Sequence, residues 1–288
     1  MHGYPILWPA FFAVIVGMTI LDVAFVHRRP RQMSLSESLG WTVLWVAFAA
    51  GFGAAIWLLH GRDPALQFAA GYLLEQSLSV DNMFVFLLIF KYFGIARHEQ
   101  GKILHWGIIG AIVLRLAFIW AGVALIERLH WMTYVFGALL LATAVRMLMH
   151  DDAHVDPEAN FALRLARRFV PLTPALAALI VVEFSDVVFA LDSIPAVIGV
   201  TRDPFIVYTS NIFAIMGLRS LYFLLAGMIT GLPYLKHGIS GVLAFVGAKM
   251  VIEPWVHVST GMSLAVIAVV LAASAGASLL SAPRRPAP

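Results

Sequence analysis

The sequence contains no cysteine. That excludes disulfides, zinc–thiolate sites and thiol catalysis, and it leaves the redox compartment open. Charge is scarce too: Asp, Glu, Lys and Arg make up 12% of the 288 residues, against about 25% in a soluble domain. No Walker A, G-x-S-x-G or H-E-x-x-H motif occurs, so the chain is not expected to be an enzyme or to drive anything with ATP of its own. The N-terminus lacks the basic region of a cleavable signal peptide, and its first apolar run is long enough to span a bilayer.

What the chain has in excess is apolar surface. It is 61% hydrophobic, with a mean hydropathy of +0.89. A membrane span needs about 20 apolar residues. Nine stretches are candidates: 5–26, 38–59, 65–90, 103–126, 131–149, 173–199, 205–229, 239–252 and 260–281. The eighth is short, carries Lys249 and runs directly into Glu253, so it fits least well. The fold class expected is all-α and polytopic, with about nine transmembrane helices in one domain.

The short loops orient the chain. With the N-terminus outside, the cytoplasmic loops hold Arg28, Arg29, Arg31, Lys91, Arg97, Lys102, Arg164, Arg167, Arg168 and Lys236, and the tail adds Arg284 and Arg285. Only Arg62, Arg128 and Arg202 then fall outside, which is the bias that the positive-inside rule describes. The pI near 9.3 thus reflects topology and does not point to nucleic acid.

Two stretches mirror each other. Gly71 to Phe90, GYLLEQSLSVDNMFVFLLIF, and Leu179 to Val197, LIVVEFSDVVFALDSIPAV, are long apolar runs with carboxylates in the middle. Aligning Asp81-Asn82 with Asp192-Ser193 sets Glu75 opposite Asp186 and Ser79 opposite Ala190. Each copy is followed by a run with a buried arginine, LRLAFIWAG at Arg115 and LRSLYFLLAG at Arg219. Three spans separate the equivalent helices, so the copies are inverted and their matching residues meet near one midplane. The domain layout expected is an N-terminal helix pair (1–60), a first repeat (65–150), a cytoplasmic loop (151–171), a second repeat (173–252), a last helix (260–281) and a tail (282–288).

Helical spacing puts Glu75, Ser79 and Asn82 on one face, and Glu183, Asp186, Ala190 and Ser193 on the matching face. Asp81 and Asp192 fall about 120° off those faces in straight helices. Pro195 is expected to break its span near Leu191 and turn Asp192 inward. Each carboxylate at a helix centre costs about 2.5–3.5 kcal/mol to insert, so Glu75, Asp81, Glu183, Asp186 and Asp192 together would cost roughly 12–18 kcal/mol facing lipid. They must face inward and be paired, protonated or bound to a cation. The intramembrane bases are Arg115, Arg219 and Lys249, fewer than the acids. For the two arginines, structural pairing with a carboxylate of the same repeat is the favoured reading. For the acids, their surplus and duplication favour function. Oxygen donors without thiolates suit Mn²⁺, Mg²⁺ or Ca²⁺ better than copper or zinc. Asn211 reads equally as a ligand or as an inter-helix hydrogen bond. Asp22 reads equally as a sixth site acid or as an interfacial side chain beside His27 and Arg28. His150, Asp151, Asp152, His154 and Asp156 read as a solvated loop rather than a metal-loading site. Trp8, Trp57, Trp106, Trp131 and Trp255 read as an interfacial belt.

EQSLSVDN at Glu75 to Asn82 and EFSDVVFALDSIPAV at Glu183 to Val197 resemble the two acidic motifs of the TerC family of bacterial integral membrane proteins, and of its Alx-like branch in particular. The likeness extends to DPEAN at Asp156 to Asn160 and SNIFAIMGLRSLYFLL at Ser210 to Leu225. It implies a member of the LysE-type transporter group, with inverted three-helix repeats and a role in manganese export, metal homeostasis and tellurium resistance. Carried over by motif, the metal residues are Glu75, Asp81, Asn82, Glu183, Asp186 and Asp192. Ser79, Ser193, Asn211, Arg115, Arg219, Lys249 and Asp22 are supporting or gating candidates. The expectation is a bacterial inner-membrane Mn²⁺ exporter, N-terminus out and C-terminus in, proton-coupled, a candidate homo-oligomer, with no cofactor and the ion as cargo. The rival is a membrane scaffold in tellurite or metal stress, in which the acids are structural.

Overall fold

The computed structural model describes residues 4–28, 33–129, 131–149, 173–227, 234–252, 254–256 and 258–281. Ten helices are present among them: α1 Leu7–Arg28, α2 Leu35–His60, α3 Arg62–Tyr92, α4 Arg97–Arg128, α5 Met132–Met149, α6 Pro174–Ile198, α7 Pro204–Met216, α8 Leu218–Gly227, α9 Leu235–Ile252 and α10 Thr260–Ser281. No strand occurs among the described residues. Local chemistry sets several boundaries. Ser34 and Glu37 close a reciprocal capping box on α2. Thr173 and Asp203 cap α6 and α7, each followed by a proline that fits the first helical turn. Gly61 and Gly94 turn the chain at φ of 91° and 64°, where a Cβ would be strained.

Six helices are long and apolar enough to cross a membrane, namely α2, α3, α4, α5, α6 and α10. A seventh span forms if α7 and α8 are taken together across their 41° bend. The nine spans expected are therefore not reached among the described residues. α1 is apolar over Leu7–Ile20, which is short of a full crossing, and α9, the weakest candidate from sequence, also falls short. The 151–171 loop and the 282–288 tail lie outside the described residues.

The expected break at Pro195 is absent. α6 is continuous from Pro174 to Ile198, with Pro195 inside it. The physical reason is position. Pro195 sits one turn from the helix end, where the missing N–H costs one hydrogen bond and little else follows to be displaced. The interruption falls at Gly217 instead, in a stretch that looked like one uninterrupted span.

The helices of the two acidic stretches pack crosswise. α3 lies on α7, α4 on α6, and α5 on α9. Each of these contacts is made close by glycine, as is common where helices meet in lipid. A Cβ on Gly71 of α3 would stand 2.7 Å from Ser210 Oγ of α7, and one on Gly107 of α4 would stand 3.3 Å from Val182 of α6. Gly137 of α5 and Gly247 of α9 face each other so closely that a Cβ on either would lie 2.8–2.9 Å from the other's carbonyl oxygen. Thr201, just past α6, donates to Gln67 Oε1 near the start of α3 at 2.6 Å, so α3 and α6 run antiparallel. An aromatic group of Phe11, Phe52, Phe68, Phe205, Tyr208 and Phe213 ties α1, α2 and α3 to α7. Trp57, Trp106, Trp131 and Trp255 are exposed, as an interfacial belt requires. Trp8 is instead half-buried against Phe205, with ring centroids 4.8 Å apart.

Candidate metal-transport site

The crosswise packing brings four helices onto one side chain. Arg115, on α4, is completely buried, and its guanidinium spreads over α3, α6 and α7. Nε donates to Asp186 Oδ2 at 3.2 Å and Nη2 to Asp186 Oδ1 at 2.9 Å, the bidentate fork that arginine makes with carboxylates. Nη1 donates to Glu75 Oε1, to Ser193 Oγ at 3.3 Å and to Asn211 Oδ1 at 3.2 Å. Asn211 Nδ2 closes the ring by donating to Glu75 Oε2 at 2.8 Å. Both oxygens of both carboxylates are used. Breaking such a fully buried set by removing one member is costly, because the charges left behind have no water to turn to.

The structure thus brings together Glu75, Asp186, Ser193, Asn211 and Arg115. Helical spacing had placed Glu75 with Ser79, and Asp186 with Ser193, on inward faces, and all four are buried. Arg115 differs from the sequence reading in one respect. It pairs with a carboxylate of its own stretch and equally with one of the other, which makes it the centre of the site rather than a local lock. Asn82 is half-buried two turns along α3 from Glu75. Arg219 opens α8 just past the Gly217 break, and Lys249 lies on α9; both are buried. The side chains of Asp22, Asp81 and Asp192 lie outside the described residues, as does the 150–156 acid–His stretch.

Two oxygens beside the ring have no partner. Ser79 is fully buried, one turn from Glu75 on the same face of α3, and its hydroxyl makes no hydrogen bond. Glu183, one turn from Asp186 on α6, has a buried Oε2 with no hydrogen bond. Buried polar atoms without partners are rare in native proteins. The Glu183 carboxylate rests on Gly110 of α4, where a Cβ would overlap it. Asp186 also lines a cavity of about 10 Å³ with Gly107, Ala111, Val182, Phe86 and Leu218, the size that one water needs. Sequence reasoning missed Gly107 and Gly110; their signal was the i, i+3 spacing that puts both on one face of α4. Among the described residues no three His, Asp or Glu side chains are grouped to hold a metal as they stand, and Arg115 bridges Glu75 and Asp186.

A sequence profile of the integral membrane protein TerC family matches residues 60–285. The chain belongs to the TerC family. It is a multi-pass integral membrane protein. Relatives cover nearly all of it: an uncharacterized membrane protein of Myxococcus xanthus is 46% identical over 99% of this chain and 95% of its own. A protein of Escherichia coli K12 named "Putative membrane-bound redox modulator Alx" is 41% identical over 92% of this chain and 91% of its own. The chloroplast thylakoid membrane protein TERC of Arabidopsis thaliana is 43% identical over 84% of this chain and 68% of its own. No solved structure matches the chain.

Proposed function

We infer that this TerC protein exports Mn²⁺ from the cytoplasm across the bacterial inner membrane, with proton counter-movement and without enzymatic chemistry. One observation carries the reading: two carboxylates, an amide and a hydroxyl from three helices converge on one buried point in a membrane protein. Hard oxygen donors of this kind suit Mn²⁺ and its hard neighbours, and intramembrane acids of this kind mark ion pathways. The crosswise glycine contacts and the antiparallel run of α3 and α6 support inverted halves rocking around that point. The relatives' redox name fits an indirect route, because a chain with no cysteine cannot perform thiol–disulfide exchange itself.

The test is Mn²⁺ flux into proteoliposomes, wild type beside Asp186→Asn. Flux in the wild type, reduced at least about tenfold in the variant while it stays folded, supports the reading, because a lost charged ligand is worth well over 1.4 kcal/mol. Absence of flux in both, with stress protection in cells that survives Asp186→Asn, turns the reading to the membrane scaffold.

A further inference from the structure

We propose that Arg115 is a tethered cation that occupies the carboxylate site in this conformation and that the transported ion displaces. The proposal rests on the transport reading above. The guanidinium donates to the same oxygens that would ligate a metal: both of Asp186, one of Glu75, Ser193 Oγ and Asn211 Oδ1. An ion and the guanidinium cannot hold these oxygens together, so one must yield to the other.

The surroundings show where the exchange begins. Ser193, Asp186 and Glu183 follow one another along α6. Ser193 meets Glu75 through Arg115, and Glu183 continues the line on the far side of Asp186. The Glu183 Oε2 is buried and unpartnered, and Asp186 separately lines the small cavity. Ser79, fully buried on the Glu75 face, adds a second unused oxygen. These are ligands that the present arrangement leaves unfilled. An ion arriving from this side takes Asp186, and then Glu183 one turn along α6, and leaves the guanidinium to Glu75 and Asn211. The arginine's return then weakens the ion's hold, and a transport site needs binding weak enough for release. A resident competitor supplies that without any change of ligands.

Mn²⁺ binding to the purified full chain, read from loss of the free-ion paramagnetic resonance signal, tests this with Arg115→Gln and Arg115→Lys beside the wild type. Thermal melting reports folding. The proposal expects both variants to bind Mn²⁺ more tightly, on the order of tenfold for a coupling of ordinary size, and to transport it more slowly because release is impaired. Folded variants that bind Mn²⁺ equally or less well overturn it and make Arg115 a structural pair for the acids. If Arg115→Gln does not fold, Arg115→Lys decides, since it keeps the charge and loses the fork. If neither folds, Arg115 is a folding keystone and the exchange idea falls. Failure of the wild type and every variant to bind Mn²⁺ sinks the transport reading beneath it.

Discussion

At the scale of single residues, glycine matters here for what its absent side chain admits. The Glu183 carboxylate fills the space a Cβ at position 110 would take. Gly110→Ala therefore moves Glu183 without altering any charge. Overpacking of this sort costs about 1–3 kcal/mol. In a Glu183→Ala background the obstruction is gone, so the same alanine should cost less than half as much. A double-mutant cycle on thermal stability, read beside Mn²⁺ flux, checks it. Equal costs in both backgrounds would show that Gly110 and Glu183 are independent. The identity of the acids, and the faces they share, were legible from period and charge alone. The seat beneath Glu183 was not, because a glycine on α4 and a glutamate 73 positions later become neighbours only through the crossing of α4 with α6. The same holds for Arg115. Its burial followed from its setting, but its reach to Asp186 depends on a contact between the two halves of the chain.

At the scale of elements, proline and glycine exchanged the roles that their local chemistry suggested. Pro195 lies too near the end of α6 to break it, and Gly217, with ordinary helical backbone angles, separates α7 from α8. A composition-based reading sees the first and overlooks the second, since glycine is common inside membrane helices. The start of α7 is better marked. Asp203 Oδ1 accepts from the N–H of Phe205 at 2.9 Å and Ile206 at 3.4 Å, and Oδ2 accepts from the Tyr4 hydroxyl at 2.6 Å. Thr201 Oγ1 joins the same end to Gln67 of α3. Burial first, then the hydrogen bond to Asp203 and its charge, raise the Tyr4 phenol above the ordinary tyrosine value. Because the folded value is raised, this contribution is complete below about pH 10 and fades only as the pH climbs past it. Asp203→Ala removes cap and latch together and should cost about 1–2 kcal/mol in thermal unfolding. Asp203→Asn keeps the cap oxygen and should cost clearly less. Equal losses in the two would mean that the charge, not the cap, holds the end of α7.

At the scale of the whole molecule, the cross-packed halves and the loop charges make one joint claim about orientation. α3 and α6 run antiparallel, so whichever end of α3 faces the cytoplasm, the opposite end of α6 does too. By the positive-inside rule the α3–α4 turn, with Lys91, Arg97 and Lys102, is expected on the inside, and the α2–α3 turn, with Arg62, on the outside. The absence of cysteine makes this directly measurable, since any thiol introduced is the sole one in the chain. Asp63→Cys and His98→Cys both sit at exposed positions in the first turns of α3 and α4. In intact cells a membrane-impermeant maleimide should label Asp63→Cys and leave His98→Cys untouched, and everted vesicles should reverse the pattern. The reverse result would overturn the orientation expected from the loop charges. Labelling of both from one side would mean that α3 does not cross, and the four-helix ring around Arg115 would then lie away from the bilayer midplane, where a gated ion site must stand.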